Sequence, residues 1–443
     1  MNIKSFLTRI AEEEKRNEDF LHVTAYEARM SETARKFLGS TLHERYFIGG
    51  GNNGVVDKKP FTALGHRAVE DLVFAAENAA KEMLSASLVN LNVLTGVHAM
   101  MCTILSTTEP GDTVMTLPMK YGGHFATKSI LDRIGRKHVY LDYELENLRF
   151  DTQKIARKFK KAKARAIYLD VSYYLNPHNL VEIREAVGEE AIIIYDASHT
   201  IGLIMGQEFQ APLEEGADVI SANTHKTLPG PHKGMIAFKE KELGEKANQI
   251  INGCLFSTRH ITHLIALAIT ILEMKAYGKS YAKQVVANSN EIAHVFENLN
   301  YEVRKANSGR YSDNHQAHIF IDNKGKYPDL YKTLIRNNIS TNFDNPLGDR
   351  VFIRIGTQEV TRRGMKEAEM KNIAHLMHRA MSGEDVKKEV IELNRAFPNI
   401  HYSFDEMLNE RENRNRGESI ITARPHPDTI KAAHKLPELT RMI

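Results

Sequence analysis

The chain has 443 residues, of which 42% are apolar, and its 59 basic and 56 acidic side chains leave a formal charge of +3. A chain of this length buries a large core and divides into two or more domains, and so small a charge excess gives no footing for nucleic acid or an anionic membrane as partner. Only Cys102 and Cys254 occur, and the 20 histidines form no HExxH motif or Cys/His array, so neither a disulfide framework nor a catalytic metal is expected and a reducing cytoplasm fits.

Residues 1–45 read as a helical arm and loop. Met1 to Lys15 alternates apolar and charged residues at helical spacing and lacks a signal peptide's continuous apolar stretch. Residues 46–285 alternate strand and helix patterns, as a mainly parallel sheet requires. Within them, Leu94-Thr-Gly-Val-His-Ala-Met-Met-Cys102 places a Thr-Gly turn at the start of an apolar helix, where free backbone amides suit a phosphate. Glu109-Pro-Gly-Asp-Thr-Val114 reads as a turn feeding a strand, and Tyr121-Gly-Gly-His124 follows at another strand end. Glycine lets a backbone approach a flat ligand closely, although most histidines so placed are polar loop residues. The basic run Lys158 to Arg165 reads as a solvated helix end before the strand Ala166 to Asp170.

Ala191-Ile-Ile-Ile-Tyr-Asp-Ala-Ser-His199 has the apolar run of a strand buried on both faces, ending in Asp196 and His199. Polar groups there face the ligand crevice of an α/β sheet. Asp196 either pairs with a protonated pyridine nitrogen or caps the next turn. In Ser221-Ala-Asn-Thr-His-Lys-Thr-Leu-Pro-Gly-Pro-His-Lys-Gly-Met-Ile236, Lys226 stands between an apolar strand and a Gly/Pro turn. A partly desolvated amine there is a nucleophile able to condense with an aldehyde, most often pyridoxal phosphate. The alternative is a polar strand end whose lysine reaches solvent.

Ile250 to Tyr281 contains the apolar helical stretch Ile261 to Leu272, expected to be a buried or interface helix, and no run long enough to span a bilayer is expected. Residues 286–408 read as a smaller α+β domain, with strands at Tyr301 to Arg304, His318 to Ile321 and Val351 to Ile355. Residues 409–443 form a polar, charged tail, flexible or packed on a partner subunit.

Glu109-Pro-Gly-Asp-Thr-Val114, Gly122-Gly-His124, Asp196-x-x-His199-x-x-Gly202, Thr224-His-Lys-Thr227, and Arg354-x-Gly-Thr357 with Thr361-Arg-Arg-Gly364 stand in the order found in serine hydroxymethyltransferases. The chain resembles that family over roughly residues 20 to 385. The resemblance implies an α/β protein of the fold-type I pyridoxal phosphate transferases, like aspartate aminotransferase, with a large domain built on a mainly parallel sheet and a smaller α+β carboxyl-terminal domain. It implies a homodimer or dimer of dimers with sites near the subunit interface. Carried over position by position, Lys226 holds the cofactor in Schiff-base linkage, Asp196 pairs with the pyridine nitrogen and His124 stacks on the ring. His199 and Ser172 hold the phenolate side. Thr95, Gly96 and Val97, with Thr224 and His225 beside the lysine, bind the cofactor and its phosphate. Val97 stands where the family carries a hydroxyl, so only its amide serves. Arg354 takes the substrate carboxylate as a bidentate fork, Glu27 is the acid/base candidate at the β-hydroxyl, and Tyr46 falls near the family's active-site tyrosine pair, with Phe47 in the place of the second.

Three departures stand out. His232 replaces an arginine, the family's Gly-Gly-Pro loop becomes Phe256-Ser-Thr-Arg-His260, and only the short Asp344 to Asp349 turn remains where a folate-pocket insert is usual. These features resemble the L-threonine transaldolases of natural-product pathways, which share the Thr224 to Gly234, Gly202 to Gly206, Thr361 to Glu367 and Tyr402-Ser-Phe-Asp405 runs. That likeness implies glycyl transfer from threonine to an acceptor aldehyde with release of acetaldehyde. The alternatives are folate-dependent exchange between serine and glycine, and simple threonine aldolase activity. Tyr121, Phe125, His260 and His263 are candidates for the acceptor side, with core or interface packing the plainer role for each.

Overall fold

The computed structural model describes residues 2–52, 54–58, 61–321, 327–344 and 350–405. The tail expected over 409–443 lies outside them, and of the Asp344 to Asp349 turn only Asp344 lies inside. The chain divides into two compact units. One comprises Tyr26–Lys283 with the segment that begins at Ile400, and the other Met1–Ala25 with Gln284–Asn399.

The larger unit is built on seven strands: β1 (Leu88–Asn90), β2 (Thr113–Thr116), β3 (Lys137–Tyr140), β4 (Ala164–Leu169), β5 (Ile192–Asp196), β6 (Val219–Asn223) and β7 (Gly234–Phe238). They lie in the order β1-β7-β6-β5-β4-β2-β3. The five from β6 to β3 run parallel, whereas β7 is antiparallel to both of its neighbours. The central strands carry runs such as Ile192-Ile-Ile-Tyr195 because both faces are covered, so no polar alternation is needed. One face packs Val114, Ala166, Tyr168, Ile194, Val219 and Ile236 against Ala99, Cys102 and Ile104 of the helix Gly96–Thr107. Register aligns Ile194 with both Tyr168 and Val219, and Asp196 with Ser221. The carboxyl ends of β4, β5 and β6 therefore deliver Asp170, Asp196 and Asn223 to one edge.

The basic run ends the helix Thr152–Ala162, with Lys160 and Lys161 in its last turn and Lys163 in the left-handed conformation. The apolar stretch at 261 belongs to a 38-residue helix, Ile261–Asn298, longer than the pattern predicts. Contrary to the expectation from the sequence, that helix is long and apolar enough to cross a bilayer, but 83% of its most apolar window is buried within the protein. It is apolar because it lies in a core.

In the smaller unit, β8 (Gln316–Ile321), β9 (Asn342–Asp344) and β10 (Val351–Gly356) form an antiparallel sheet in the order β8-β10-β9. Ile319, Ile353 and Ile355 meet Phe296 and the buried face of the helix Glu367–Met381. Leu21–His22 pairs in parallel with Ile339–Ser340. Tyr301 to Arg304, expected as a strand, makes a single bridge from Val303 to Ile319. The segment is confined between a left-handed turn at Asn300 and the turn closed by the Gly309 amide on Ala306.

The helix Ile201–Met205 is wholly buried, and its Gly202 amide donates to Thr227 Oγ1 at 3.1 Å. A Cβ at Gly202 would overlap the Thr227 carbonyl, whereas Gly39 has open space around it. Gly202→Ala is expected to cost at least about 2 kcal/mol in urea unfolding, with Gly39→Ala within about 0.5 kcal/mol of wild type. Equal midpoints for the two variants would show that the close approach beside Lys226 is not constraining.

Candidate active site

The carboxyl ends of β4, β5 and β6 and the start of the helix Gly96–Thr107 enclose a cavity of about 290 Å³. Thr95 caps that helix, its Oγ1 accepting from the His98 amide at 3.0 Å. The Gly96 and Val97 amides have no intrahelical acceptor and lie at the positive end of the helix, which makes them an anion site. Glycine is needed at 96 because a Cβ there would stand 2.8 Å from Asn223 Cβ on β6.

Lys226 enters from the turn between β6 and β7. Thr224 fixes that turn: its Oγ1 donates to Pro231 O at 2.6 Å and accepts from the Lys233 amide at 3.1 Å, while its carbonyl accepts from Gly230 N at 2.9 Å. Lys226 Nζ then lies 3.0 Å from His199 Nε2. Thr227 Oγ1 donates to the His199 carbonyl at 2.8 Å, so the loop that carries the lysine is tied to the one that carries the histidine.

Asp196 ends β5 with both oxygens held. Tyr168 OH donates to Oδ2 at 2.7 Å and the Ser198 amide to Oδ1 at 2.8 Å. Burial chiefly, and then the Asp196 charge, holds the Tyr168 phenol well above its ordinary range, so it stays a donor. His124 also lines the cavity. Its Nδ1 accepts from the Ala126 amide at 3.3 Å, leaving the proton on Nε2. Burial pushes its pKa down, partly offset by Asp196 and reinforced by Lys226, so the ring is neutral. His225 lies stacked on His232 with centroids 3.9 Å apart. Burial, then His232 and Lys226, lower the His225 pKa to about 3 against the opposing charge of Glu27.

Of the expected residues, Thr95, Gly96, Val97, His124, Ser172, Asp196, His199, His225 and Lys226 line this one cavity. Thr224 does not, its hydroxyl being spent on the turn. Glu27 is not a lining residue but lies close enough to act on His225 by charge, and Tyr46 is 64% exposed. Arg354 belongs to the smaller unit, buried on β10 with Nε 2.7 Å from Asp344 Oδ2. That contact is an ion pair by distance, not a well-aligned hydrogen bond, since neither atom meets hydrogen-bond geometry. Among the described residues no group of three His, Cys, Asp or Glu side chains has metal-holding geometry.

Asp170 and Asn223 line the cavity without having been expected there. Asp170 Oδ2 accepts from Thr127 Oγ1 at 2.7 Å and from the His124 amide at 3.1 Å, and Oδ1 from the Leu117 amide at 3.4 Å. It ties β2 and the His124 loop to the end of β4. The strand-end rule that singles out Asp196 applies equally to Asp170, which closes the run Ala166 to Leu169. Asn223 Oδ1 and His225 Nδ1 are buried with no hydrogen-bond partner among the described residues. An anion site, a neutral ring, a braced carboxylate, an amine and two open polar atoms suit a flat aromatic aldehyde with an anionic tail.

Residues 3–377 match the family model described as serine hydroxymethyltransferase. The chain is similar to the serine hydroxymethyltransferase of Methanocella arvoryzae, 34% identical over 409 residues that cover 87% of this chain and 92% of that protein. It is similar also to that of Aeropyrum pernix, 34% identical over 402 residues, with 87% and 89% covered. A solved structure, L-threonine transaldolase from Pseudomonas fluorescens in its internal aldimine state, superposes with a TM-score of 0.83 at 27% identity, covering 98% of this chain and 97% of that one.

Burial, opposed by the Thr127 hydroxyl, raises the Asp170 carboxyl to about 7 from an ordinary 3.8. The folded chain then holds a proton that the unfolded chain has released, so this carboxyl costs stability progressively as pH rises from about 4 to about 7. The stability gap between wild type and Asp170→Ala is expected to narrow by on the order of 3 kcal/mol between about pH 5 and pH 8. Denaturant titrations at both pH values measure it, and a constant gap would mean that Asp170 does not titrate in this range.

Proposed function

The chain belongs to the serine hydroxymethyltransferase family, the pyridoxal-phosphate-dependent transferases, and from that premise we propose that it is an L-threonine transaldolase. Threonine and an acceptor aldehyde would give acetaldehyde and a new β-hydroxy-α-amino acid. The observation that carries this reading is the likeness to the Pseudomonas fluorescens transaldolase over almost the whole of both chains. A second feature supports it. The late Tyr402 to Asp405 run is built into the larger unit, where Asp405 accepts from the Glu32 and Thr33 amides at 2.7 and 2.8 Å and the Phe404 amide donates to Glu273 at 3.1 Å. That run therefore caps the helix directly after the Glu27 segment.

The family implies pyridoxal phosphate, and the residues present fit it. The Gly96 and Val97 amides would take the phosphate, Lys226 the aldehyde carbon, Asp196 the pyridine nitrogen, and His124 one face of the ring. His199, Ser172 and His225 offer the remaining polar contacts, and Thr224 serves by fixing the lysine turn. When bound, the cofactor supplies an electron sink for the pair left on Cα as the bond to Cβ breaks.

The chain's own side chains do the rest. Asp196, braced by the Tyr168 hydroxyl and the Ser198 amide, would accept from the pyridine nitrogen. Neutral His124 would stack on the ring without adding a competing cation. His199, 3.0 Å from Lys226 Nζ, is placed to exchange a proton with that amine. Arg354 is proposed to fork the amino acid's carboxylate, Glu27 to accept the β-hydroxyl proton, and Tyr46 to assist there. We further propose a cytoplasmic homodimer or dimer of dimers acting in a natural-product pathway.

Folate-dependent serine hydroxymethyltransferase activity is the second reading, favoured by the names of relatives 34% identical. The purified enzyme is to be given L-threonine with an aromatic aldehyde, and separately L-serine with tetrahydrofolate. Acetaldehyde release that rises with the acceptor, together with a new β-hydroxy amino acid, is expected, with loss of at least about a thousandfold in Lys226→Ala. Turnover only with serine and tetrahydrofolate would sink the transaldolase reading. Acetaldehyde and glycine, with no acceptor product, would mark an aldolase.

A further inference from the structure

Lys233 carries a buried amine that the arrangement above does not use. It is 1% exposed. Its Nζ donates to Leu91 O at 2.8 Å and Val93 O at 3.0 Å, the carbonyls just before the Thr95-Gly96-Val97 turn. The contact is enforced from the backbone as well. The Gly234 amide reaches Val93 O at 3.4 Å, and a Cβ at Gly234 would press on Thr95 O. The start of β7 and the entrance to the anion site are thus one packed unit.

Among the described residues no carboxylate forms an ion pair with Lys233, and both of its acceptors are neutral. Buried charges are ordinarily paired. The charged groups that face it add to the imbalance. Arg259 repels it, and burial chiefly, with Lys233 adding to it, lowers the pKa values of His98, on the helix that begins at the anion site, and of His260 and His263. Burial above all, then Arg259, lowers the Lys233 pKa to about 7. A neutral amine has two N–H donors, which match the two carbonyls, so the side chain keeps its place in either protonation state. Only the third proton waits for a counter-charge.

We propose that Lys233 is the positioning residue of the phosphate turn, and that a phosphate bound at the Gly96 and Val97 amides supplies its missing counter-charge, so that cofactor binding draws one proton onto Nζ. The inference rests on the reading that pyridoxal phosphate occupies this site. At Lys233 the one change is the N–H bond formed on Nζ, with the proton taken from solvent. Lys226 is then the lysine that reacts and Lys233 the lysine that senses the anion.

The test is calorimetric titration of the cofactor-free protein with pyridoxal phosphate, and with pyridoxal, which has the ring and aldehyde but no phosphate. Running each in two buffers of different ionisation enthalpy counts the protons taken up. Near pH 8 pyridoxal phosphate is expected to take up as much as about one proton more than pyridoxal, and in Lys233→Met that excess disappears. The variant should bind pyridoxal phosphate about tenfold or more weakly and pyridoxal as wild type does. Equal proton counts for the two ligands in wild type would overturn the proposal, even if the variant fails to fold. Equal weakening of both ligands in a folded variant would also overturn it, leaving Lys233 a packing residue. If pyridoxal phosphate does not bind at all, the functional reading falls along with this one. If it binds with no phosphate-dependent proton uptake, only the role of Lys233 falls.

Discussion

Parallel register between β4, β5 and β6 is the constraint on which the site depends. With Ile194 locked between Tyr168 and Val219 in a core that tolerates no slip, the last residues of the three strands must emerge side by side. Asp170, Asp196 and Asn223 are therefore neighbours by construction, and the lysine turn starts immediately after Asn223. The reversal of β7 matters equally. Because β7 runs back antiparallel to β6, the chain turns within ten residues, and Thr224 can close that turn by accepting from Lys233 and donating to Pro231.

Charge in this small volume is arranged by desolvation more than by ion pairing. Tyr168, His124, His225 and Lys233 are all pushed toward their neutral forms, with burial the largest cause in each case. Such a site is poised for a ligand that brings its own charges. An anionic tail, a ring nitrogen able to accept a proton and an electrophilic carbon would each meet a group prepared for it. The same arrangement accommodates Asn223 Oδ1 and His225 Nδ1, buried polar atoms with no hydrogen-bond partner among the described residues.

Much of this was legible in the sequence, for a physical reason. Buried parallel strands leave continuous apolar runs, and the polar residue that ends such a run marks the ligand edge, which is how Asp196, His199 and Lys226 were singled out together with the turns at Thr95 and His124. Other features resisted. Asp170 ends its strand just as Asp196 does, but a single carboxylate gives no sign of the Thr127 and His124 donors that converge on it. Thr224 was expected at the cofactor, and no spacing rule distinguishes a hydroxyl facing a cavity from one that closes a turn. Lys233 reads as a polar loop residue beside two prolines and two glycines, and only the packing of β7 against Leu91 and Val93 makes it a buried amine. The length of the Ile261–Asn298 helix was also hidden, since its later turns space Val285, Val286, Ile292, Ala293 and Phe296 among polar residues in place of the near-continuous apolar run that marks its start.

The central claim is a division of labour between two lysines seven residues apart in sequence, one reactive and one buried. Borohydride reduction of the protein loaded with pyridoxal phosphate, followed by proteolysis and peptide mass mapping, tests it most directly. The account predicts a pyridoxyl group on Lys226 and an unmodified Lys233. Label on Lys233, or label scattered over exposed lysines with Lys226 untouched, would contradict it.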